Sequence, residues 1–228
     1  MRAIAYLRRR IGRFRTSTPV QAPPPRSTVR SREELHAHWR DPDGLNRPAD
    51  YLEPTARSQF LLGFVEPYLT PGARILEIGC NVGRNLAHLF EAGHRDLTGI
   101  EINTAALALL RESFPELGQT ATLIGAPVED VIRDLPDASF DMVFAMAVLE
   151  HIHPDSEWIF GEMVRISRSV VVTIEDEHGT SRHHVPRDYR AVFEGHGMRQ
   201  LAEQDVSAAE GFPTDFRARI FGKAGPVA

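Results

Sequence analysis

The sequence predicts an α/β fold with a mainly parallel sheet and helices on both faces, and three observations predict it. Short apolar segments alternate with segments of helical periodicity from residue 74 to residue 221, the pattern of strand–helix–strand units. Phe140–Met146 is an almost unbroken apolar run, as expected of a strand buried on both faces. Arg74–Ile78 runs into Gly79, a second glycine follows at Gly83, and helix-like sequence comes next. That is a strand, a tight turn and a helix N-terminus.

Residues 1–31 read as a separate arm. Ile4, Leu7, Ile11 and Phe14 form one narrow stripe on a helix, with Arg8, Arg9, Arg10, Arg13 and Arg15 around the rest. A solvated arm and a helix lying on an anionic membrane surface are both open readings, with an organelle transit peptide as a third. No apolar run is long enough to span a bilayer. Thr18–Ser31, with Pro19, Pro23, Pro24 and Pro25, reads as an extended linker. The folded region is expected from Arg32 to the end of the chain, its core covering about 71–223.

Ser31 with Glu34 three residues on marks a helix start. The polar stretch 41–54, with three prolines, reads as a loop. Thr55–Tyr68 is helical by the spacing of Phe60, Leu61, Phe64 and Val65, and Pro71-Gly72 is a turn. Strands are expected at 74–78, 96–101, 122–125, 140–146, 170–174, 201–206 and 216–221. Helices are expected at 83–92, 104–114, a short one through Val131, 156–167 and 186–195.

Composition narrows the function. Net charge is −5, yet residues 1–32 hold nine arginines and no acid, so the rest carries −14. An acidic body disfavours broad nucleic-acid contact. The single cysteine, Cys80, excludes an intrachain disulfide and a cysteine-rich zinc site, and fits a reducing compartment. A cytoplasmic location, or a peripheral one at the inner membrane face, is the expectation.

Amides at a helix start hold electron-rich groups. Leu97-Thr98-Gly99-Ile100-Glu101 ends a second strand in a carboxylate that suits the two hydroxyls of a ribose. A nucleoside-containing ligand follows. The three-glycine dinucleotide fingerprint is broken by Asn81, which disfavours a nicotinamide-dependent oxidoreductase.

Glu77-x-Gly79-Cys80-x-x-Gly83, Glu101, and Phe140–Phe144 followed by Leu149-Glu150-His151 occur in that order. The combination resembles the class I S-adenosylmethionine-dependent methyltransferases, small-molecule type, over about residues 71–223. The resemblance implies a Rossmann-like, seven-stranded sheet closed by an antiparallel hairpin, with S-adenosyl-L-methionine as cofactor. It implies that the turn at Gly79, Cys80, Asn81 and Gly83 cradles the methionine part and that Glu77 orients its amino group. Glu101 would take the ribose hydroxyls, Ile102 the adenine face, and Val128 and Glu129 the adenine edge, with Ala126 and Pro127 where an aspartate is common. Ala145 and Met146 would flank the sulfonium, and Arg57 or Tyr51 would reach the carboxylate. Cys80 reads as a small turn residue, since no base adjoins it.

Transfer to a hydroxyl needs a base. Glu150-His151-Ile152-His153 and the stretch from Glu175 to His184 follow strands at the ligand-binding end. His151, Glu175 and His184 are the catalytic candidates, His151 first because imidazole titrates near neutrality. A structural role for His151 is equally open. The spacing matches no metal motif, so no metal is expected. The function expected is methyl transfer to a small-molecule or glycan-type acceptor, with oxygen as the expected target. A non-catalytic binding module of the same fold is the alternative.

Overall fold

A computed structural model describes residues 29–41, 46–53, 55–206, 210–212 and 216–223. The basic stripe at residues 4–15 and the proline-rich stretch through residue 28 lie outside the described residues. Among the described residues, no helix is long and apolar enough to cross a membrane.

Helix α1, Arg32–Arg40, opens on the expected capping box: Glu34 N–H donates to Ser31 Oγ, and Ser31 N–H donates to Glu34 Oε2. Helix α2 is Ala56–Val65. Then come β1 Arg74–Ile78, α3 Arg84–Glu91, β2 Asp96–Ile100, α4 Thr104–Ser113, α5 Pro115–Thr120, β3 Thr122–Ile124 and α6 Val128–Val131. The chain continues through β4 Phe140–Met146, α7 Trp158–Ile166, β5 Ser167–Asp176, α8 Tyr189–Gly195, β6 Met198–Asp205 and β7 Phe216–Lys223.

The seven strands form one sheet in the order β3-β2-β1-β4-β5-β7-β6. β7 runs antiparallel to both β5 and β6, and the other pairings are parallel. The fold is thus the Rossmann-like α/β sheet with a terminal antiparallel hairpin. The chain builds outward from β1 to β3, then crosses back to place β4 on the other side of β1. That reversal opens a crevice at the carboxyl ends of β1, β2 and β4.

Two apolar layers flank the sheet, and strand alternation sorts residues between them. Met142, Phe144 and Met146 of β4 join one layer, with Leu61 and Leu86 of the covering helices. Val143 and Ala145 join the other, with Phe160 and Phe193. A strand covered on both sides reads as apolar throughout, which is why Phe140–Met146 was so legible.

Local differences have local causes. The helix expected at 104–114 stops at Ser113, because Pro115 starts a new turn that it cannot continue from the old one. The stretch 41–54 holds a 3-10 turn, Pro48–Tyr51, led by its proline. The helix expected from Pro186 begins at Tyr189, where the Asp188 carboxylate accepts from Ala191 N–H.

Candidate active site

The turn after β1 is held by its own hydrogen bonds. Gly79 and Cys80 N–H both donate to Ile100 O, at 2.8 and 3.0 Å, and Asn81 N–H donates to Glu101 Oε2 at 2.8 Å. The amides expected to face a ligand are therefore spent on tying β1 to β2. Gly79 has φ +73°, and a Cβ there would lie 2.4 Å from Val148 Cγ2. Glycine is required by the backbone angle and by the close approach of the loop after β4. Cys80 is buried, and burial pushes its thiol up, in keeping with a packing role.

Two carboxylates stand on either side of this turn. Glu77, at 2 % exposure, accepts from Asn85 Nδ2 at 2.7 Å through Oε1. Its Oε2 is buried and has no hydrogen-bond partner. Burial pushes Glu77 up to about 8, with the Asn85 bond opposing. Glu101, at the end of β2, accepts from Asn81 N–H through Oε2 and from Asn103 N–H through Oε1, both at 2.8 Å. Burial raises its pKa and these amide bonds lower it. Each oxygen keeps a second lone pair, and both residues line one cavity of about 470 Å³. That volume lies within the range of small-molecule sites.

Helix α1 covers the far wall through Leu35, His36 and Trp39. His36 Nε2 lies 3.2 Å from Glu129 Oε1, so the adenine-edge candidate is already engaged by this helix. Trp39 packs on His151 with ring centroids 4.5 Å apart. Arg57, held by a bond from Nε to Gly211 O at 2.7 Å, and Tyr51 also border the cavity.

Beyond Met146 the loop after β4 presents its own cluster. His151 Nδ1 is 2.7 Å from His183 O. A carbonyl only accepts, so Nδ1 carries the hydrogen and Nε2 is a bare lone pair. Burial pushes His151 down to about 3. Glu150 Oε1 lies 3.5 Å from His151 Nε2 and 3.7 Å from His184 Nε2. Burial pushes Glu150 up to about 8 and lowers His184. Glu150 Oε2 accepts from Asp176 N–H at 2.6 Å, which locks the carboxylate to the end of β5.

The structure brings Glu77, Gly79, Cys80, Asn81, Glu101, Ile102, Val128, Glu129, Met146, His151 and His184 around this one cavity. Three candidates stand apart. Gly83, φ +72°, is needed because a Cβ would meet Leu110 Cδ1 at 2.3 Å; it shapes the helix start from behind. Ala145 points to the opposite face of β4 from Met146 and is fully buried in the other layer. Glu175 is fully buried below the cavity, where Oε2 accepts from Val148 and Glu150 N–H at 2.9 and 3.3 Å. It braces the loop and does not line the cavity. Its neighbour Asp176 takes the place at the rim.

Sequence reasoning did not pick out Asn85 and Trp39, which line the cavity, and named Glu150 only as part of its cluster. Asn85 had a signal, sitting in the first turn of the helix that follows the glycines. Trp39 had none, because 112 positions separate it from His151 and only the fold joins them.

Residues 76–170 match the family model described as a methyltransferase domain. That match agrees with the methyltransferase resemblance of the motifs in this region. A ubiquinone biosynthesis O-methyltransferase from Idiomarina loihiensis is 30% identical over 127 residues, covering 55% of this chain and 49% of that protein. The chain spans about half the length of the curated relatives it matches. Among solved structures, the magnesium protoporphyrin IX methyltransferase from Synechocystis PCC 6803 with bound S-adenosylhomocysteine aligns with a TM-score of 0.66 at 12% identity. It covers 85% of this chain and 100% of that one. The 1,6-didemethyltoxoflavin-N1-methyltransferase of Burkholderia thailandensis aligns at 0.63 and 16% identity, over 85% of this chain and 87% of that one. At such identities these two likenesses speak for the fold alone.

Proposed function

We propose that the protein is an S-adenosylmethionine-dependent methyltransferase that methylates an oxygen of a small-molecule or glycan-type acceptor. One observation carries the reading: the buried, unpartnered Glu77 Oε2 inside the cavity. A buried carboxylate oxygen without a donor is costly. An α-ammonium group supplies the missing donor and charge, and the methionine end of the cofactor carries one. Glu101 then lies across the turn, with lone pairs for a vicinal diol. Asn81, Ile102 and Val128 line the space between for the nucleoside, and Arg57 or Tyr51 receives the carboxylate.

When bound, the cofactor supplies an electrophilic methyl group on sulfur. The chain's share is alignment and exclusion of water. Met146 marks the sulfur end of the cavity. Trp39, His151 and His184 wall the acceptor end and hold the acceptor's oxygen in line with the methyl group. Glu175 acts through the loop as a positioning residue. Oxygen as the target is supported by the relatives named for O-methylation.

A cytoplasmic site of action, with residues 1–15 touching an anionic membrane, completes the reading; the arginine-flanked apolar stripe supports it. The test is transfer of labelled methyl from S-adenosylmethionine to a panel of phenolic, hydroxyquinone and sugar hydroxyl acceptors. Labelled product with one class is expected. Tight cofactor binding with no transfer to any acceptor would favour the non-catalytic module.

A further inference from the structure

We infer that Glu150, His151 and His184 form a binding site for one divalent first-row cation at the acceptor end of the cavity. The inference rests on the proposed methyl transfer only for its purpose, not for the site itself. One ligand atom from each residue lies within 4.8 Å of the other two. Glu150 Oε1 is 3.5 Å from His151 Nε2 and 3.7 Å from His184 Nε2.

These separations are too long for direct hydrogen bonds, which need about 2.7–3.2 Å. They are close to the spacing of ligands that share an ion. A point equidistant from three atoms so placed lies at most about 2.4 Å from each. Zinc takes nitrogen and carboxylate oxygen at about 2.0–2.2 Å, so shifts of a few tenths of an ångström close the site.

The surroundings match the requirements of ligands. His151 Nδ1–H is tied to His183 O, which fixes the ring and aims the bare Nε2 at Glu150. That outer bond is the usual support of a metal-bound imidazole. Glu150 is fixed through Oε2 by Asp176 N–H, leaving Oε1 to point inward. His184 Nε2 is buried without any hydrogen-bond partner. Asp176 Oδ2 stands 3.8 Å from His184 Nε2, within reach as a further ligand or as a partner for bound water. Two imidazoles with one carboxylate favour zinc, cobalt or iron(II) over calcium or magnesium.

All three residues border the cavity, so the ion's remaining positions open onto the acceptor. There the ion holds the acceptor oxygen and favours loss of its proton, which passes to water. The oxygen bonds the methyl carbon, the carbon–sulfur bond breaks, and its electron pair stays on sulfur. The ion itself is unchanged.

The test uses full-length protein stripped with EDTA. Zinc is titrated by calorimetry, and cobalt(II) is followed by its visible absorption. S-adenosylhomocysteine is titrated separately into the metal-free protein. One zinc per chain is expected, with a cobalt spectrum of nitrogen–oxygen coordination. His184→Ala is expected to weaken zinc at least tenfold while leaving S-adenosylhomocysteine affinity unchanged. Glu150→Gln serves as the second variant if His184→Ala does not fold. Normal S-adenosylhomocysteine binding without zinc binding overturns this inference and leaves the proposed function standing. Zinc binding that survives undiminished in whichever of the two variants folds also overturns it, by placing the metal elsewhere.

Discussion

Replacing Glu77 by Gln isolates the group on which the cofactor reading depends. In the ligand-free protein burial raises this carboxyl to about 8, against an ordinary value of 4.5. Between those values the native state holds a proton that the unfolded chain has released. The native state binds more protons, so its stability falls as pH rises through that window, by about 1.4 kcal/mol per pH unit. Over the whole window the loss is about 5 kcal/mol. Glutamine keeps the shape and can still accept from Asn85 Nδ2, but it does not ionise. Urea denaturation of both proteins at several pH values from 5 to 8 is the assay. Subtracting the curves cancels the other titrating groups. The Gln variant should gain on wild type by about 1.4 kcal/mol for each unit of rising pH. The same substitution removes the anion that meets the ammonium. A charge-assisted hydrogen bond contributes about 1.5–3 kcal/mol, so S-adenosylhomocysteine should bind roughly 10- to 150-fold more weakly. Parallel stability curves, or equal affinities, refute the reasoning.

Further outcomes follow from single contacts. Gly79→Ala puts a Cβ 2.4 Å from Val148 Cγ2 at φ +73°; destabilisation of about 2 kcal/mol or more is expected by chemical denaturation, with loss of S-adenosylhomocysteine binding. Glu101→Ala leaves Asn81 and Asn103 N–H without their acceptor. It should cost about 1–3 kcal/mol of stability and weaken S-adenosylhomocysteine at least tenfold by calorimetry. Arg219→Ala leaves Glu177 buried and unpaired after losing two bonds of 2.7 and 2.9 Å. Melting should reveal a loss of about 3–5 kcal/mol, while S-adenosylhomocysteine affinity of the folded protein stays unchanged.

Much of the sheet was legible because its strands are short, apolar and punctuated by glycine. Phe140–Met146 was read to the residue, since burial on both faces leaves little polar interruption. The turn at Gly79 and Gly83 was legible because their positive φ and close contacts demand glycine. Alternation was the neglected rule in the site. Ala145 and Met146 are adjacent on a strand and point opposite ways, so only one of them faces the cavity. The same parity separates Glu175, which braces the loop, from Asp176 at the rim. Ligand-facing amides were over-assigned at Gly79 to Asn81. Their partners, Ile100 O and Glu101, arrive from another strand, and no local pattern announces that pairing. The covering helix was foreseen from its capping box, but its place over the cavity comes from tertiary packing of Leu35, His36 and Trp39.

The most direct measurement is a crystal structure of the protein grown with S-adenosylhomocysteine. The account predicts the ligand's ammonium within hydrogen-bond distance of Glu77 Oε2, its ribose hydroxyls on the Glu101 carboxylate, and its sulfur next to Met146. A ligand bound elsewhere, or an ammonium facing away from Glu77 with that oxygen still unpartnered, would contradict it.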